Sequence, residues 1–113
     1  MEFLMILKVV AAALTIATGV LALIKPSAVP GFTGMRADGP RGISEIRSIF
    51  GGLFIGLGLA PLFLGEVAFT MLGIAYLAIA LARAFSIVFD KSYAQSNWIS
   101  LGIEIVLGVI LCI

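Results

Sequence analysis

The stretch from Glu66 to Phe89, EVAFTMLGIAYLAIALARAFSIVF, decides the class of fold. Arg83 is its only charge after the opening glutamate, and every other residue is apolar, small or uncharged. A helix of about 20 such residues crosses the roughly 30 Å hydrocarbon core of a bilayer. The apolar residues do not alternate with the period of two that a membrane barrel demands. We therefore predict a transmembrane helix here.

Further apolar stretches of similar length predict three more such helices. Lys25 and Pro26 interrupt the first of them, and Gly65 is a tight stop before Glu66. A signal peptide is the alternative for the first stretch, but the apolar run is too long and Lys8 lies inside it. We predict an all-α protein that consists of one integral membrane domain over residues 1–113. Its four helices should form an antiparallel up-down-up-down bundle. The predicted helices span about 3–24, 42–64, 66–89 and 97–113.

Composition supports a membrane protein and excludes several kinds of chemistry. The chain has 113 residues, 62% of them hydrophobic and 12% charged, and its mean hydropathy is +1.24. A soluble domain has about 25% charged residues. The net charge of +1 predicts no nucleic-acid partner. Histidine is absent and Cys112 is the single cysteine, so we expect no catalytic triad, no metal site and no cofactor.

The basic residues predict an orientation in the membrane. We call the side of the N-terminus side A and the opposite side, which holds both polar loops, side B. Six of the seven basic residues fall toward side B, and Lys8 alone falls toward side A, where it can reach the interface. The positive-inside rule then predicts a multi-pass protein of the plasma (inner) membrane with side B cytoplasmic and both termini outside. The side-B residues are Lys25, Arg36, Arg41, Arg47, Arg83 and Lys91.

Charges inside the predicted helices are the candidate site. Arg83 and Glu104 each lie about 10 Å below side B on neighbouring antiparallel helices, at about 1.5 Å per residue. A charge near the bilayer centre costs at least about 2.5 to 3.5 kcal/mol, so we expect charges inside the membrane to pair. Either Glu45 or Arg47 faces the core. We predict a neutral layer that fixes helix register or binds a ligand. Its members are Glu45, Arg47, Arg83 and Glu104, with Asp90 on the face of Arg83.

Glycines in the second predicted helix indicate close helix packing. Gly52 and Gly56 form the small-xxx-small pattern that lets two helix backbones approach, and Gly51 stands beside them. We expect these glycines to pack within the chain, with a homodimer as the alternative.

Residues 42–53, GISEIRSIFGGL, resemble a bacterial membrane family known as domain of unknown function 4345. The resemblance covers nearly the whole chain and implies a four-helix module with charged residues in helices two, three and four. It implies no reaction. The matching residues are Glu45, Arg47, Gly51, Gly52, Arg83, Asp90 and Glu104.

These observations favour a non-enzymatic membrane module that binds a membrane lipid, a small amphiphile or a membrane protein partner. One alternative is a small proton-coupled transporter with Glu104 as its proton site. It would have to be a homodimer, because four helices alone are too few for an alternating-access pathway. The less favoured alternative is a quinone-linked membrane oxidoreductase component.

Overall fold

The computed structural model describes residues 2–113, and only the backbone of residue 32. Helices account for most of this range, and no strand occurs within it. All but α2 are long and apolar enough to cross a bilayer. The helices are α1 (Glu2–Ile24), α2 (Val29–Thr33), α3 (Pro40–Leu64), α4 (Glu66–Phe89) and α5 (Gln95–Cys112).

The helix starts differ slightly from the predicted ones. α3 begins at Pro40 rather than Gly42, because proline at the first helical position lacks an N–H that would be unpaired there anyway. α5 begins at Gln95 rather than Asn97. The predicted long loop contains a 3-10 turn at Pro26–Ala28 and then α2, which is followed by Gly34 as its C-cap with a φ of +75°. Glycine adopts this left-handed conformation without steric penalty.

The middle of α3 is not a regular α-helix. Residues Ile46–Leu53 form i→i+5 hydrogen bonds, between α-helical segments at Pro40–Glu45 and Phe54–Leu64. Each such turn holds more residues than an α-helical turn, so every side chain after it points in a different direction from the one a regular helix would give. The face of α3 before Ile46 is therefore offset from the face after Leu53, relative to a regular helix.

Glycines bring α3 against α1. A Cβ on Gly51 would lie 3.0 Å from the Cβ of Leu23, and one on Gly58 would lie 2.8 Å from the carbonyl oxygen of Ala12. Later residues of α3 thus meet earlier residues of α1, which makes the pair antiparallel. Gly73 of α4 similarly lies beside Leu111 of α5.

The other two predicted packing glycines lie outside this contact. Gly56 has nothing within 4 Å of an added Cβ, and Gly52 has only the carbonyl oxygen of Arg47 at 3.9 Å. Both are exposed. The expectation that Gly52 and Gly56 pack within the chain is therefore corrected: Gly51 and Gly58 lie against α1, and Gly52 and Gly56 lie on a different, exposed face of α3. The homodimer alternative stays a prediction.

Small residues dominate the interior, while most large apolar side chains lie outside. One buried cluster joins α1, α4 and α5 and contains Ala11, Ala12, Phe69, Leu72 and Leu111. Ala22, Val29 and Ile46 form a second cluster beneath the connection between α1 and α3. This distribution is typical of helices that associate by close backbone approach rather than by burying large side chains.

Candidate functional site

Arg83 and Glu104 form a bidentate ion pair between α4 and α5. Arg83 Nε donates to Glu104 Oε1 at 2.8 Å, and Arg83 Nη2 donates to Oε2 at 2.7 Å. The side chains are 31% and 11% exposed, respectively. The contact confirms the buried salt bridge that the matching depths predicted. Two parallel charge-assisted hydrogen bonds determine both the distance and the register of the two helices.

Asn97 completes this network, and the sequence analysis missed its role. Arg83 Nη1 donates to Asn97 Oδ1 at 2.7 Å, while Asn97 Nδ2 donates to the hydroxyl and the carbonyl of Ser92. Asn97 lies seven residues before Glu104 and hence on the same face of α5, which was a usable signal. Within the described part of the chain, no buried side-chain nitrogen or oxygen lacks a partner. Each fully buried polar side-chain atom of the network therefore has a partner within the protein.

Glu45 and Asp90 do not join this pair. Glu45 accepts a hydrogen bond from Arg41 one turn earlier on α3, and both side chains are exposed. Asp90 accepts a hydrogen bond from the hydroxyl of Ser86 at 2.6 Å, also at the surface. Pairs spaced i,i+4 on an exposed helix face contribute only about 0.2–0.5 kcal/mol.

Arg47 lies near α1 instead of joining the predicted layer. Its Nη1 donates to the backbone carbonyl of Leu23 in the last turn of α1, where helix carbonyls have no partner within the helix. α3 packs mainly on α1, whereas α5 packs mainly on α4. The predicted layer of four charges is therefore corrected to one ion pair, Arg83–Glu104, with Glu45 and Arg47 bonded elsewhere.

Two polar contacts join α1 to α4, and both helices run in the same direction there. Lys8 Nζ lies 3.1 Å from Glu66 Oε1, with Lys8 buried and Glu66 exposed. Further along, Thr15 Oγ1 lies 2.6 Å from the hydroxyl of Tyr76 and donates to the carbonyl of Ala11 at 2.8 Å. Since Thr15 has one hydroxyl proton, Tyr76 must be the donor between the two hydroxyls. The polar groups of Lys8, Thr15 and Tyr76 therefore have partners within the protein.

A cleft of about 530 Å³ opens between the end of α1, the connection after it and the first turns of α3. Lys25, Arg36 and Arg47 line it, together with one carboxylate, Asp38. Three cations and one anion give the cleft a formal charge of +2. We call it the basic cleft.

The wall of the basic cleft is anchored to the interior. Ala37, between Arg36 and Asp38, packs against the buried cluster that contains Val29 and Ile46. It also lies close to Gly42, where an added Cβ would be 3.1 Å from the Cβ of Ala37. This packing holds the backbone of the connection before α3 against the interior on either side of Ala37.

Comparison with known proteins identifies the family. The family model described as Domain of unknown function (DUF4345) matches residues 3–113. The chain belongs to the DUF4345 family. The predicted resemblance is thereby confirmed. No curated protein matches the chain, and no solved structure does so either.

The charges of this DUF4345 protein divide into paired and unpaired sets. Among the described residues, three cations pair with carboxylates, in Lys8–Glu66, Arg41–Glu45 and Arg83–Glu104. Three of the remaining four line the basic cleft, and the fourth, Lys91, lies in the turn between α4 and α5. Among the residues that the structure describes, most of the unpaired positive side chains of this DUF4345 protein therefore lie in the basic cleft. Such a cleft can bind an anion, because guanidinium and ammonium groups donate several hydrogen bonds and have no competing carboxylate in pairing distance.

Proposed function

We propose that this DUF4345 protein is an integral membrane protein whose α1, α3, α4 and α5 cross the bilayer. Two features support this. Each of these helices has the length and composition of a membrane span, and large apolar side chains such as Phe63 and Leu81, 82% and 76% exposed, point outward. The unpaired cations cluster at side B, which favours a cytoplasmic position for that side in a bacterial inner membrane.

We further propose that the protein is a non-enzymatic module that binds an anionic membrane lipid in the basic cleft. The observation that carries this proposal is the convergence of three unpaired cations, Lys25, Arg36 and Arg47, from three segments of the chain. Lys25 follows the last residue of α1, so the cleft lies where an apolar helix ends and lipid headgroups begin. Each basic residue in such a position contributes about 1 kcal/mol of attraction to anionic lipid.

The carrier hypothesis has less support than lipid binding. The carrier requires a carboxylate that is free to exchange a proton, whereas Arg83 bonds to both carboxylate oxygens of Glu104. We therefore assign the Arg83–Glu104 pair to helix register and the basic cleft to binding.

Native mass spectrometry tests the lipid-binding proposal. The protein is released from nanodiscs that contain a neutral phosphatidylcholine and an anionic phosphatidylglycerol in equal amounts. We expect retained phosphatidylglycerol on the wild type and its loss from the triple variant Lys25→Gln/Arg36→Gln/Arg47→Gln. The matched control is Lys91→Gln, which removes an unpaired cation outside the cleft and should retain the lipid. Equal adducts of both lipids on the wild type, or their persistence in the triple variant, would contradict the proposal.

A further inference from the structure

The geometry points to a particular class of headgroup: we infer that the basic cleft selects a lipid whose headgroup ends in a phosphate monoester. This inference rests on the proposed function and specifies its ligand. Most anionic lipids at a membrane surface have a phosphate diester. The inference is that the cleft prefers a phosphate monoester to such a diester.

The formal charge of the cleft favours a dianion. Lys25, Arg36 and Arg47 contribute three positive charges and Asp38 one negative charge, for a sum of +2. A phosphate monoester carries about −1.5 to −2 charges near pH 7, whereas a phosphate diester carries a single negative charge. A monoester thus neutralises the cleft, and a diester leaves it with an excess positive charge.

The hydrogen-bond donors also match a monoester in number. A phosphate monoester presents three strong acceptor oxygens at its end, and the cleft offers one cationic side chain for each. The three cations come from the end of α1, the connection before α3 and the second turn of α3. Cations from separate segments can approach different oxygens of a tetrahedral phosphate from different directions. Cationic residues that are neighbours on one helix face would approach it from one side.

Arg47 has a partly organised guanidinium before any ligand binds. One of its N–H groups donates to the carbonyl of Leu23, which leaves four of the five N–H donors for a ligand. A side chain that is already held in place loses less conformational entropy on binding. The hydrogen bond between Arg47 and the carbonyl of Leu23 therefore favours binding of a ligand to Arg47.

Apolar residues in the same cleft indicate a lipid rather than a soluble phosphate. Ile24 and Ile43 line it beside the cations, and they are 71% and 39% exposed, respectively. A lipid can place its phosphate among the cations and its glycerol and first methylenes against these side chains. A small water-soluble phosphate would leave this apolar surface uncovered.

The neighbouring cleft shows that charge, not volume, distinguishes the site. It measures about 600 Å³ and shares Arg36 and Asp38 with the basic cleft. Its other charged residues are Arg41 and Glu45, which pair with each other. The formal charge there is zero, so this larger cleft offers no comparable attraction to an anion.

The decisive experiment compares two lipids that differ by one methyl group. Phosphatidate has a phosphate monoester, and phosphatidylmethanol with the same acyl chains is its methyl diester. Each is titrated into phosphatidylcholine nanodiscs that contain the protein, and native mass spectrometry gives the bound fraction. We expect phosphatidate to bind about fivefold more tightly or better. Lys25→Gln and Arg36→Gln, both at exposed positions, should reduce this preference, and the matched control Lys91→Gln should leave it unchanged.

The outcomes separate the inference from the proposed function. Equal binding of the two anionic lipids would overturn the monoester inference and leave lipid binding in the cleft intact. Absence of any anionic adduct would overturn both. Glycerol phosphate, added in solution, should not displace phosphatidate at matched concentration; displacement would overturn the assignment to a lipid and indicate a soluble phosphate. A melting curve for each variant verifies that its loss of preference occurs in folded protein.

Discussion

Replacing Arg83 by leucine is expected to lower the free energy of unfolding by about 3–5 kcal/mol. The substitution leaves the carboxylate of Glu104, 11% exposed, without the cation that bonds to both of its oxygens. Asn97 loses the donor to its Oδ1 at the same time. The measurement is reversible unfolding in mixed micelles of increasing denaturing detergent.

Two further variants distinguish loss of the ion pair from loss of the arginine itself. The double variant Arg83→Leu/Glu104→Leu should recover most of the lost stability, because replacing both partners of a buried pair by apolar residues is often neutral. Arg47→Leu is the matched control, since Arg47 is exposed and bonds to a backbone carbonyl. It should cost about 1 kcal/mol or less. A double variant as unstable as Arg83→Leu would refute the structural assignment of the pair.

Gly58→Ala is expected to destabilise the protein by about 1–3 kcal/mol by overpacking the contact between α1 and α3. The added Cβ would lie 2.8 Å from the carbonyl oxygen of Ala12 and 2.6 Å from Cγ1 of Ile16. Ile16 could change its rotamer, but the backbone of α1 would have to move away. The same detergent titration measures the loss.

Gly56→Ala provides the matched control for Gly58→Ala. Both glycines lie in the α-helical segment Phe54–Leu64, so each alanine gains the same helix propensity, up to about 1 kcal/mol. Nothing lies within 4 Å of a Cβ at Gly56, so this variant should be as stable as the wild type or more so. Equal effects of the two alanines would contradict the packing of α3 on α1. A loss at Gly56 that grows with protein concentration would instead support the homodimer.

The amino-acid sequence was sufficient to predict the four long helices and one side-chain contact between them. Helix existence follows from long apolar runs such as 67–89, which Arg83 alone interrupts, because a bilayer-length run has few other stable conformations. The Arg83–Glu104 pair was predictable because two antiparallel neighbours joined by a short turn place residues at equal distances from that turn in the same layer. Both predictions depend on distance along the helix axis, which the residue count determines directly.

Only the tertiary structure decided which direction each side chain faces. Arg47 lies in the predicted half of its helix, yet it bonds to the end of α1, because α3 packs mainly on that helix. Gly51 and Gly58 lie against α1, whereas Gly52 and Gly56 are exposed on another face of α3. Rotation about a helix axis depends on hydrogen-bond pattern and on neighbouring helices, neither of which a residue count contains. The basic cleft, built from three separate segments, was for the same reason beyond prediction from the sequence.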